Sequence, residues 1–423
     1  MYRNRVITEE DGDEIIRDHL DRRSGRTPAR EWVFATLASG LTFIQAQRFC
    51  DNMGFDYVAK STFYRVQKEV GKVIQEYAQE SMAKWRAALE PGTVVCADGR
   101  YPTRRNSSHC SVDVIDIRTG KVLSIGIVDK ASDLHPEETF NDASNMMETE
   151  ALKRALISFE SLENVTGIVI DGDNKNKNAI TERAPEMQIF RDPNHTKLSF
   201  ERYLASEFKK WKSKYPPYTN CFSGIAEKIK RWYSHLLYMN VPIDKKKQQW
   251  NNVVEHLLGD HSKCMPHEQT NFVWEVGVAN PEIVDKLREI LGARTKDFEK
   301  VVAGFSTQKS ESFHRIQLIF GCKALRFPIS QSMRDNLAIL YQNEGPIFLQ
   351  ELRRKLNLRG TTNAARTRIL RCLQDKDDRA AERRTPEYRR NEAKYRAEKS
   401  KLNKASKFGD YKGIKTELGP LFN

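Results

Sequence analysis

Apolar residues recur along the chain with two periods, which separate helical stretches from strand-like stretches. Over residues 28–89 they recur at three- and four-residue spacing, which predicts helices that bury one face. From Thr93 onward they form short runs rich in Val and Ile, typical of buried strands. Five strands are predicted, at residues 93–97, 110–117, 122–128, 168–170 and 187–190. A helix is predicted over residues 136–162, between the third strand and the fourth.

Residues 28–90 predict three helices. Ser39-Gly40 separates the first two, Gly54 follows the second, and Ser61 is expected to be the N-cap of the third. This arrangement has the shape of a helix-turn-helix unit, whose last helix enters the major groove of DNA. Any small trihelical packing unit gives the same pattern, so both readings stay open. In the DNA-binding reading, the third helix presents Lys60, Thr62, Tyr64 and Arg65.

Acidic residues follow two of the predicted strands. The first strand runs into Asp98, and the fourth runs into Asp171, with Asn and Lys residues just beyond. The element order, three strands, a helix, a strand and a helix, is that of the ribonuclease H-like fold, in which the first and fourth strands are neighbours. Asp98 and Asp171 are therefore expected to face each other at the carboxyl edge of the sheet. Two close carboxylates favour a cation between them, and oxygen ligands suit Mg²⁺. For each Asp alone, a solvated loop is the alternative.

A third carboxylate is expected from a helix against the first strand, because two-metal phosphoryl transfer requires one. Residues 306–320 predict such a helix, and Glu311 lies near its start. Its apolar positions are Phe313, Ile316, Leu318 and Phe320. Glu299 and Glu268 are competing choices that spacing alone does not exclude.

Residues 196–305 are predicted to be mostly helical, with aromatic residues on the helix faces. Within them the run H-S-K-C-M-P-H places His261, Cys264 and His267 at three-residue intervals. These are zinc-ligand types, but no fourth ligand is near in sequence. Zinc binding and a hydrogen-bonded structural role are therefore both open.

The net charge of +13 is concentrated at the end of the chain. Residues 351–423 contain 21 Lys or Arg against 10 Asp or Glu, which leaves about +2 for the rest. A basic tail on a near-neutral body favours a polyanionic partner, nucleic acid first, although a tail that only improves solubility would look the same. The tail is expected to be frayed helix or disorder.

Cysteine usage and hydropathy limit the compartment. The seven cysteines are scattered and include no C-x-x-C, which does not suit a disulfide framework and favours a reducing compartment. No run approaches the roughly 20 apolar residues that span a bilayer. The first residues also lack the apolar core of a signal peptide.

In their order and spacing these residues resemble a Mutator-like DDE transposase of the eukaryotic cut-and-paste type. The resemblance rests on Asp98 in C-A-D-G-R-Y, Asp171 in V-I-D-G-D-N-K-N-K-N and Glu311 in T-Q-K-S-E-S-F-H. Asp171 follows Asp98 by 73 residues, and Glu311 follows Asp171 by 140. The longer interval matches the all-helical insertion that these transposases carry before the last acid. The chain has His314 where the family commonly has Asn.

Further similarity lies outside the three acids. It includes the tail from residue 375 to 413 and several single positions. These positions are Arg104 and Ser107 after the first strand, His195 and Lys197 in D-P-N-H-T-K, and Cys264 and His267 in C-M-P-H.

The resemblance implies an α/β fold, in which a ribonuclease H-like mixed five-stranded sheet with helices is interrupted by an all-helical insertion and preceded by a helix-turn-helix-like domain. The expected boundaries follow the composition of the chain. They are a flexible lead-in at 1–27, a DNA-binding domain at 28–90, the catalytic core at 91–200 and 300–350, the insertion at 201–299, and the basic tail at 351–423.

By the same resemblance, Asp98, Asp171 and Glu311 hold two Mg²⁺ or Mn²⁺ ions that support DNA cleavage and strand transfer. The implied partners are double-stranded DNA, as transposon terminal inverted repeats and as target, and further copies of the chain, because two transposon ends must be paired. The implied compartment is the nucleus. The expected DNA contacts in the core are Arg104, Lys175, Lys177, His195 and Lys197.

Three alternatives remain at this point. His195 suits a proton shuttle or a phosphate contact, but equally a core histidine. The whole chain suits a domesticated DNA-binding protein that keeps the fold without catalysis. It also suits a ribonuclease H-like nuclease that cuts DNA without joining strands.

Overall fold

The computed structural model describes residues 28–102, 107–130, 140–159, 162–172, 174–222, 224–264, 272–322, 325, 327, 329–358 and 363–406. The chain divides into two compact units, with the boundary between residues 359 and 360. No helix in the described ranges is long and apolar enough to cross a membrane.

The first unit is built on one five-stranded mixed sheet. Its strands are β1 (Thr93–Arg100), β2 (His109–Asp116), β3 (Val122–Asp129), β4 (Val165–Ile170) and β5 (Gln188–Arg191). Their order across the sheet is β3-β2-β1-β4-β5. The first three strands pair antiparallel, and β1, β4 and β5 pair parallel. The mixed α/β fold class with a ribonuclease H-like core, in which the first strand lies beside the fourth, is therefore confirmed.

Alternation along β1 divides its side chains between two cores. Val95 and Ala97 pack into a cluster with helix α4 (Met147–Ile157). Cys96, on the opposite face, joins a cluster with Val169 and the helices that follow the insertion. Since side chains two residues apart share a face, Asp98 and Arg100 lie on the same face as Cys96.

Three helices precede the sheet, α1 (Pro28–Ala38), α2 (Phe43–Asn52) and α3 (Lys60–Ala87). Thr42 and Gln45 form a capping box at the start of α2. The N-cap of α3 is Ala59 without a side-chain bond, so the expectation of Ser61 as cap is wrong. The helix starts one residue before Ser61, and the hydroxyl therefore falls within its first turn.

Helix α3 packs on the sheet rather than beside it. Phe63, Val66, Val70 and Ile74 are buried in the same cluster as Cys96. The helices that complete this layer are α13 (Gln308–Phe320), α14 (Gln331–Glu344) and α15 (Phe348–Lys355). The Ser81 hydroxyl of α3 donates to Glu344 Oε1 of α14 at 2.7 Å. The N-terminal helices therefore share one core with the strands.

Helix α4 starts later than the predicted helix over residues 136–162. A 3₁₀ turn (Ser144–Met146) precedes it, and residues 140–143 are not helical. Residues 131–139 lie outside the described part. Glu148 and Glu150 in the first turn suit the positive end of the helix dipole, which favours a start at Met147.

The helical insertion has its own apolar core. Phe200, Tyr233, Trp250 and Phe298 are buried at its centre, and the Phe200 and Tyr233 rings stack 3.9 Å apart. Helix α5 (Asn174–Arg183) lies between β4 and β5. The helices from β5 to α13 are α6 (Pro193–Lys214), α7 (Ala226–Tyr238), α8 (Ile243–Asn251), α9 (Val253–Leu257), α10 (Glu275–Ala279), α11 (Pro281–Gly292) and α12 (Asp297–Lys300).

The second unit contains two helices in its described residues, α16 (Asn363–Arg384) and α17 (Pro386–Ser406). Of the two expectations for the tail, frayed helix or disorder, the structure shows helix over this range.

Candidate active site

The first two acids lie on neighbouring strands. Pairing of β1 with β4 ends at Cys96 and Val169, and two residues further on each chain come Asp98 and Asp171. The expectation that β1 ends before Asp98 is wrong, because β1 pairs with β2 as far as Arg100. Asp98 is therefore held by a strand, and its carboxylate also accepts from the Gly99 amide at 2.8 Å. Asp171 starts the turn that leaves β4.

The electrostatic environment of both acids disfavours ionisation. Burial, followed by repulsion from Asp171, raises the pKa of Asp98 to about 7. Burial, followed by repulsion from Asp192, Glu148 and Glu311, raises the pKa of Asp171 to about 7. In both cases His314 acts in the opposite direction but does not cancel the shift. Burial and the neighbouring acids therefore both favour the protonated form of these two side chains.

Glu311 is delivered by the first turn of α13, and its side chain is exposed. The neighbouring residue Ser310 is buried and contacts Cys96 on β1, with its Oγ 3.4 Å from the thiol sulfur. The Glu311 charge contributes to the raised pKa of Asp171, so the helix places this acid on the same side of the sheet as the strand acids.

The competing choices for the third acid are placed differently. Glu299 lies in α12, where its carboxylate accepts from Lys247 at 2.6 Å. Glu268 lies outside the described residues. Of the two described candidates, Glu311 therefore has the charge interaction with Asp171, and Glu299 has a lysine partner in the insertion.

The start of α13 is tied to the end of β5 by one buried carboxylate. Asp192 caps α6 by accepting from the His195 amide at 2.9 Å. Its second oxygen accepts from the Thr307 amide at 2.9 Å, directly before α13. Because the Asp192 amide also donates to Ile170 of β4, this residue fixes the helix of Glu311 relative to the strand of Asp171.

His314 and Asp113 stand next to Asp98, and neither role was predicted. Asp113 is the cross-strand partner of Asp98 in the β1–β2 ladder. One turn of α13 after Glu311, His314 places Nε2 2.8 Å from Asp113 Oδ1 and Nδ1 3.6 Å from Asp98 Oδ2. Burial lowers the pKa of His314, but the charges of Asp113 and Asp98 outweigh it, so the net shift is upward. The sequence signal was an Asp between two valines of a buried strand.

Glu148 is a fourth acid that sequence reasoning missed. It lies on α4, and its carboxylate accepts from Asn176 Nδ2 of α5 at 2.8 Å. A Cβ on Gly99 would lie only 2.6 Å from the Glu148 side chain, so the glycine gives this acid room beside Asp98. Glu148 also raises the pKa of both Asp98 and Asp171. Its position in a helix with ordinary acidic spacing gave no signal.

The other residues expected to contact DNA in the core differ in what they contact. His195 Nδ1 is 3.2 Å from Asp171 Oδ2, which removes the reading of a plain core histidine. On α5, Lys175 Nζ lies 3.2 Å from the Met146 sulfur, and Lys177 is exposed. Lys197 is 4.0 Å from Glu201 on the same helix. Arg104 lies outside the described residues.

Two of the four expected DNA contacts at the start of α3 are exposed to solvent. Lys60 and Arg65 are exposed, and Arg65 pairs with Glu69 at 3.1 Å. Thr62 and Tyr64 are half-buried, and the Tyr64 ring packs edge-on against Phe63. Tyr64 therefore has a packing role whether or not it meets DNA.

The structure changes which residues form the cluster predicted in the insertion. His261 and Cys264 come together with His256, which sequence spacing did not single out. His267 lies outside the described residues. The ligand atoms of His256, His261 and Cys264 all lie within 4.8 Å of one another. Among the described residues, the acids at the sheet do not form a group as close as this.

A search of curated proteins returned no match. The Mutator-like transposase family matches residues 21–271, more than half of the chain, including Asp98 and Asp171 but not Glu311. The chain belongs to the Mutator-like transposase family.

Proposed function

We propose that the protein is a DDE transposase that cleaves DNA and transfers the cut strand by metal-dependent phosphodiester chemistry. The observation that carries the proposal is the meeting of Asp98 from β1 and Asp171 from β4 with the charge of Glu311 from α13. Among the described residues, the ion-pair contacts of the two strand acids are with histidines, His314 at 3.6 Å from Asp98 and His195 at 3.2 Å from Asp171, and not with Lys or Arg. A fold used only as a scaffold has no need for the repulsion between these acids.

The donor set suits magnesium or manganese. All three side chains offer oxygen, and two have pKa values raised by burial and then by neighbouring negative charge, an effect that a bound cation would oppose. Asp98, Asp171 and Glu311 would hold the ions, and the exposed Glu311 has the rotamer freedom to complete the set. Two bound ions supply an activated oxygen nucleophile and neutralise charge on the leaving oxygen.

The residues around the acids serve the DNA. His195, beside Asp171, is placed to contact a phosphate or to accept a proton from the attacking group. Lys177 on α5 and the exposed Lys60 and Arg65 on α3 offer charge to the DNA backbone. The basic tail adds sequence-independent affinity. The substrate would be double-stranded transposon ends and target DNA in the nucleus, with two copies or more pairing the ends.

Asp113 and His314 act through Asp98 as positioning residues. The imidazole lies between the two carboxylates, so it fixes the orientation of one while sharing charge with the other. No group in the described residues donates to Asp113 Oδ2, which is buried. That unpartnered oxygen adds to the negative potential that draws a cation to Asp98.

Cleavage of DNA that carries the element ends tests the proposal. Wild-type protein is expected to cut and join in Mg²⁺ or Mn²⁺, and Asp98→Asn, Asp171→Asn and Glu311→Gln are expected to lose both steps. Glu299→Gln is the matched control, since it removes an acid that pairs with Lys247 instead. Wild-type binding without cutting would support the domesticated alternative. Cutting without joining of a 3′ end to target would support the nuclease. Full activity in Glu311→Gln would remove this residue from the site.

A further inference from the structure

A cluster of two histidines and a cysteine lies in the helical insertion, remote in sequence from the three acids. His256 belongs to α9, and His261 and Cys264 belong to the short segment that follows it. The Cys264 sulfur is 3.4 Å from His256 Nδ1 and 4.0 Å from His261 Nδ1. The two imidazole rings meet edge to face, with centroids 4.6 Å apart.

These separations are those of a ligand set around one small ion. Zinc binds nitrogen at about 2.0–2.1 Å and sulfur at about 2.3 Å in a tetrahedron, so its ligand atoms lie roughly 3.3–3.8 Å apart. The Cys264–His256 distance of 3.4 Å falls in that range, and the Cys264–His261 distance of 4.0 Å is slightly longer. All three ligand atoms lie within 4.8 Å of one another. Nitrogen and thiolate ligands select zinc over magnesium.

The surroundings hold each ligand in place. The Trp232 ring stacks on His256 with centroids 5.3 Å apart and planes 16° apart, which fixes the plane of that imidazole. Asn252 Nδ2 points at the Cys264 sulfur from 3.7 Å, an outer contact of the kind that stabilises a metal-bound thiolate. The three side chains would supply three of the four ligands of a tetrahedral zinc ion.

The loop that carries the second and third ligands is also fixed by its backbone. Gln249 Nε2 of α8 donates to the Lys263 carbonyl at 2.9 Å, next to Cys264. The Asp260 amide returns to the Glu255 carbonyl at 3.0 Å, and Gly259 turns the chain with φ 94°. A positive φ of this size suits glycine, so the turn that brings His261 back to His256 depends on that residue.

We propose a zinc site in the insertion, formed by His256, His261 and Cys264, that holds the loop after α9 against the helices of the insertion. The role is structural, because the cluster is joined to the aromatic core of the insertion at two points. The Trp232 ring packs against that core and stacks on His256. Gln249, which bonds to the loop, directly precedes the buried Trp250. Zinc held there would link α9 to the segment that follows it and add its binding free energy to folding. The site is independent of the proposed cleavage chemistry.

Zinc content of the full-length untagged protein tests the proposal. After gel filtration in zinc-free buffer, mass spectrometry for metals is expected to find one zinc ion per chain. His256→Gln, His261→Gln and Cys264→Ser are expected to lose it, because losing a direct ligand costs more than the roughly 10- to 100-fold in affinity that an outer partner costs. Cys322→Ser and His235→Gln are the matched controls and should keep the ion, since neither residue belongs to the cluster.

The visible spectrum of cobalt-substituted protein provides a second measurement if a ligand variant does not fold. Wild-type protein loaded with Co²⁺ is expected to show the intense visible bands of a tetrahedral ion and a thiolate-to-cobalt charge-transfer band. Cys264→Asp should keep metal but lose the charge-transfer band. Wild-type protein without zinc, ligand variants that retain full zinc, or a weak octahedral cobalt spectrum would each overturn the proposal and leave hydrogen-bonded side chains only.

Discussion

Strand β1 carries two charged side chains on one face, Asp98 and Arg100, and they lie in opposite electrostatic environments. Arg100 is fully buried, and it donates to Asp335 Oδ1 at 3.3 Å and to the Gly321 carbonyl at 3.1 Å. His109 joins the same network, with Nε2 3.0 Å from Asp335 and Nδ1 2.7 Å from Asp129. Asp98, two residues earlier on the strand, faces other acids instead.

The Arg100 network is balanced within itself. Burial lowers the pKa of His109, but hydrogen bonds to Asp129 and Asp335 raise it to about 9, so the imidazole is cationic at neutral pH. Two cations then meet two carboxylates in a closed core. Among the described residues, the ion-pair contacts of Asp98 and Asp171 are with the imidazoles of His314 and His195.

Two charged groups on a single strand therefore differ in what surrounds them. Arg100 is buried against the Asp335 carboxylate and links the sheet to α14, whereas Asp98 lies among other acids. The two clusters should therefore respond to mutation in opposite ways, which gives four tests.

The largest expected effect is on activity at the acid group. Asp98→Asn should reduce DNA cleavage by at least about 10²–10³-fold, comparable to removing one preorganised charge-stabilising group. The same change should leave the unfolding temperature equal or higher at pH 8, because the neutral amide relieves repulsion. Cleavage and thermal unfolding measured on the same preparation check both parts. A large loss of stability would place Asp98 in the structural network and contradict the comparison.

The second effect is on stability at the Arg100 network. Asp335→Ala leaves Arg100 and His109 buried without their shared carboxylate, so unfolding free energy should fall by about 3–5 kcal/mol. Chemical denaturation measures it. Asp285→Ala removes an exposed partner of Arg288 and is expected to change little. Equal losses of unfolding free energy in the two variants would show that the Arg100 network contributes no more to stability than an exposed ion pair.

The third effect concerns the link between β5 and α13. Asp192→Ala removes a helix cap and the acceptor of the Thr307 amide, so it should cost about 1–2 kcal/mol and also lower cleavage. Thr42→Ala removes the exposed capping box of α2 and is the matched control, with a similar stability loss and normal cleavage. If both variants cleave equally well, the position of Glu311 does not depend on Asp192.

The smallest effect is a pH dependence of stability without metal. The pKa values of Asp98 and Asp171 rise from 3.8 to about 7 on folding, so between these values the folded chain holds protons that the unfolded chain has released. Their contribution to stability is therefore present below pH 4 and is lost as pH rises through 7. Thermal unfolding in a chelator, compared with the double variant Asp98→Asn, Asp171→Asn, isolates this slope. A double variant with the same slope would contradict the raised pKa values.

Local pattern was enough to predict the sheet and the strand acids. Short β-branched runs predict β2, β3 and β4 because these strands are buried along most of their length, and Asp171 directly follows the apolar run of β4. The strands β1 and β5 are less buried, but their apolar runs also indicated them. The boundaries moved by one to three residues, and β1 continued to Arg100, since pairing with β2 extends it beyond the apolar run. Leu318 was expected on the buried face of α13, but it is 39% exposed, and Gln317 is buried instead.

Local pattern missed several partners that come from distant elements. Asp113 and His314 are 201 residues apart in the chain and meet because α13 crosses β2. Glu148 reaches the site because Gly99 leaves space for it. His256 joined His261 and Cys264 because a turn at Gly259 folds the loop back on α9.

The sequence by itself determined most of the elements, the family resemblance and which apolar runs the two acids follow, because those depend on residues close together in the chain. Only the tertiary structure decided which charges are compensated. Asp98 and Arg100 look alike in the sequence, as polar residues after an apolar run. Their different environments come from the helices packed above them, since α14 brings Asp335 to Arg100 and α13 brings Glu311 and His314 towards Asp98.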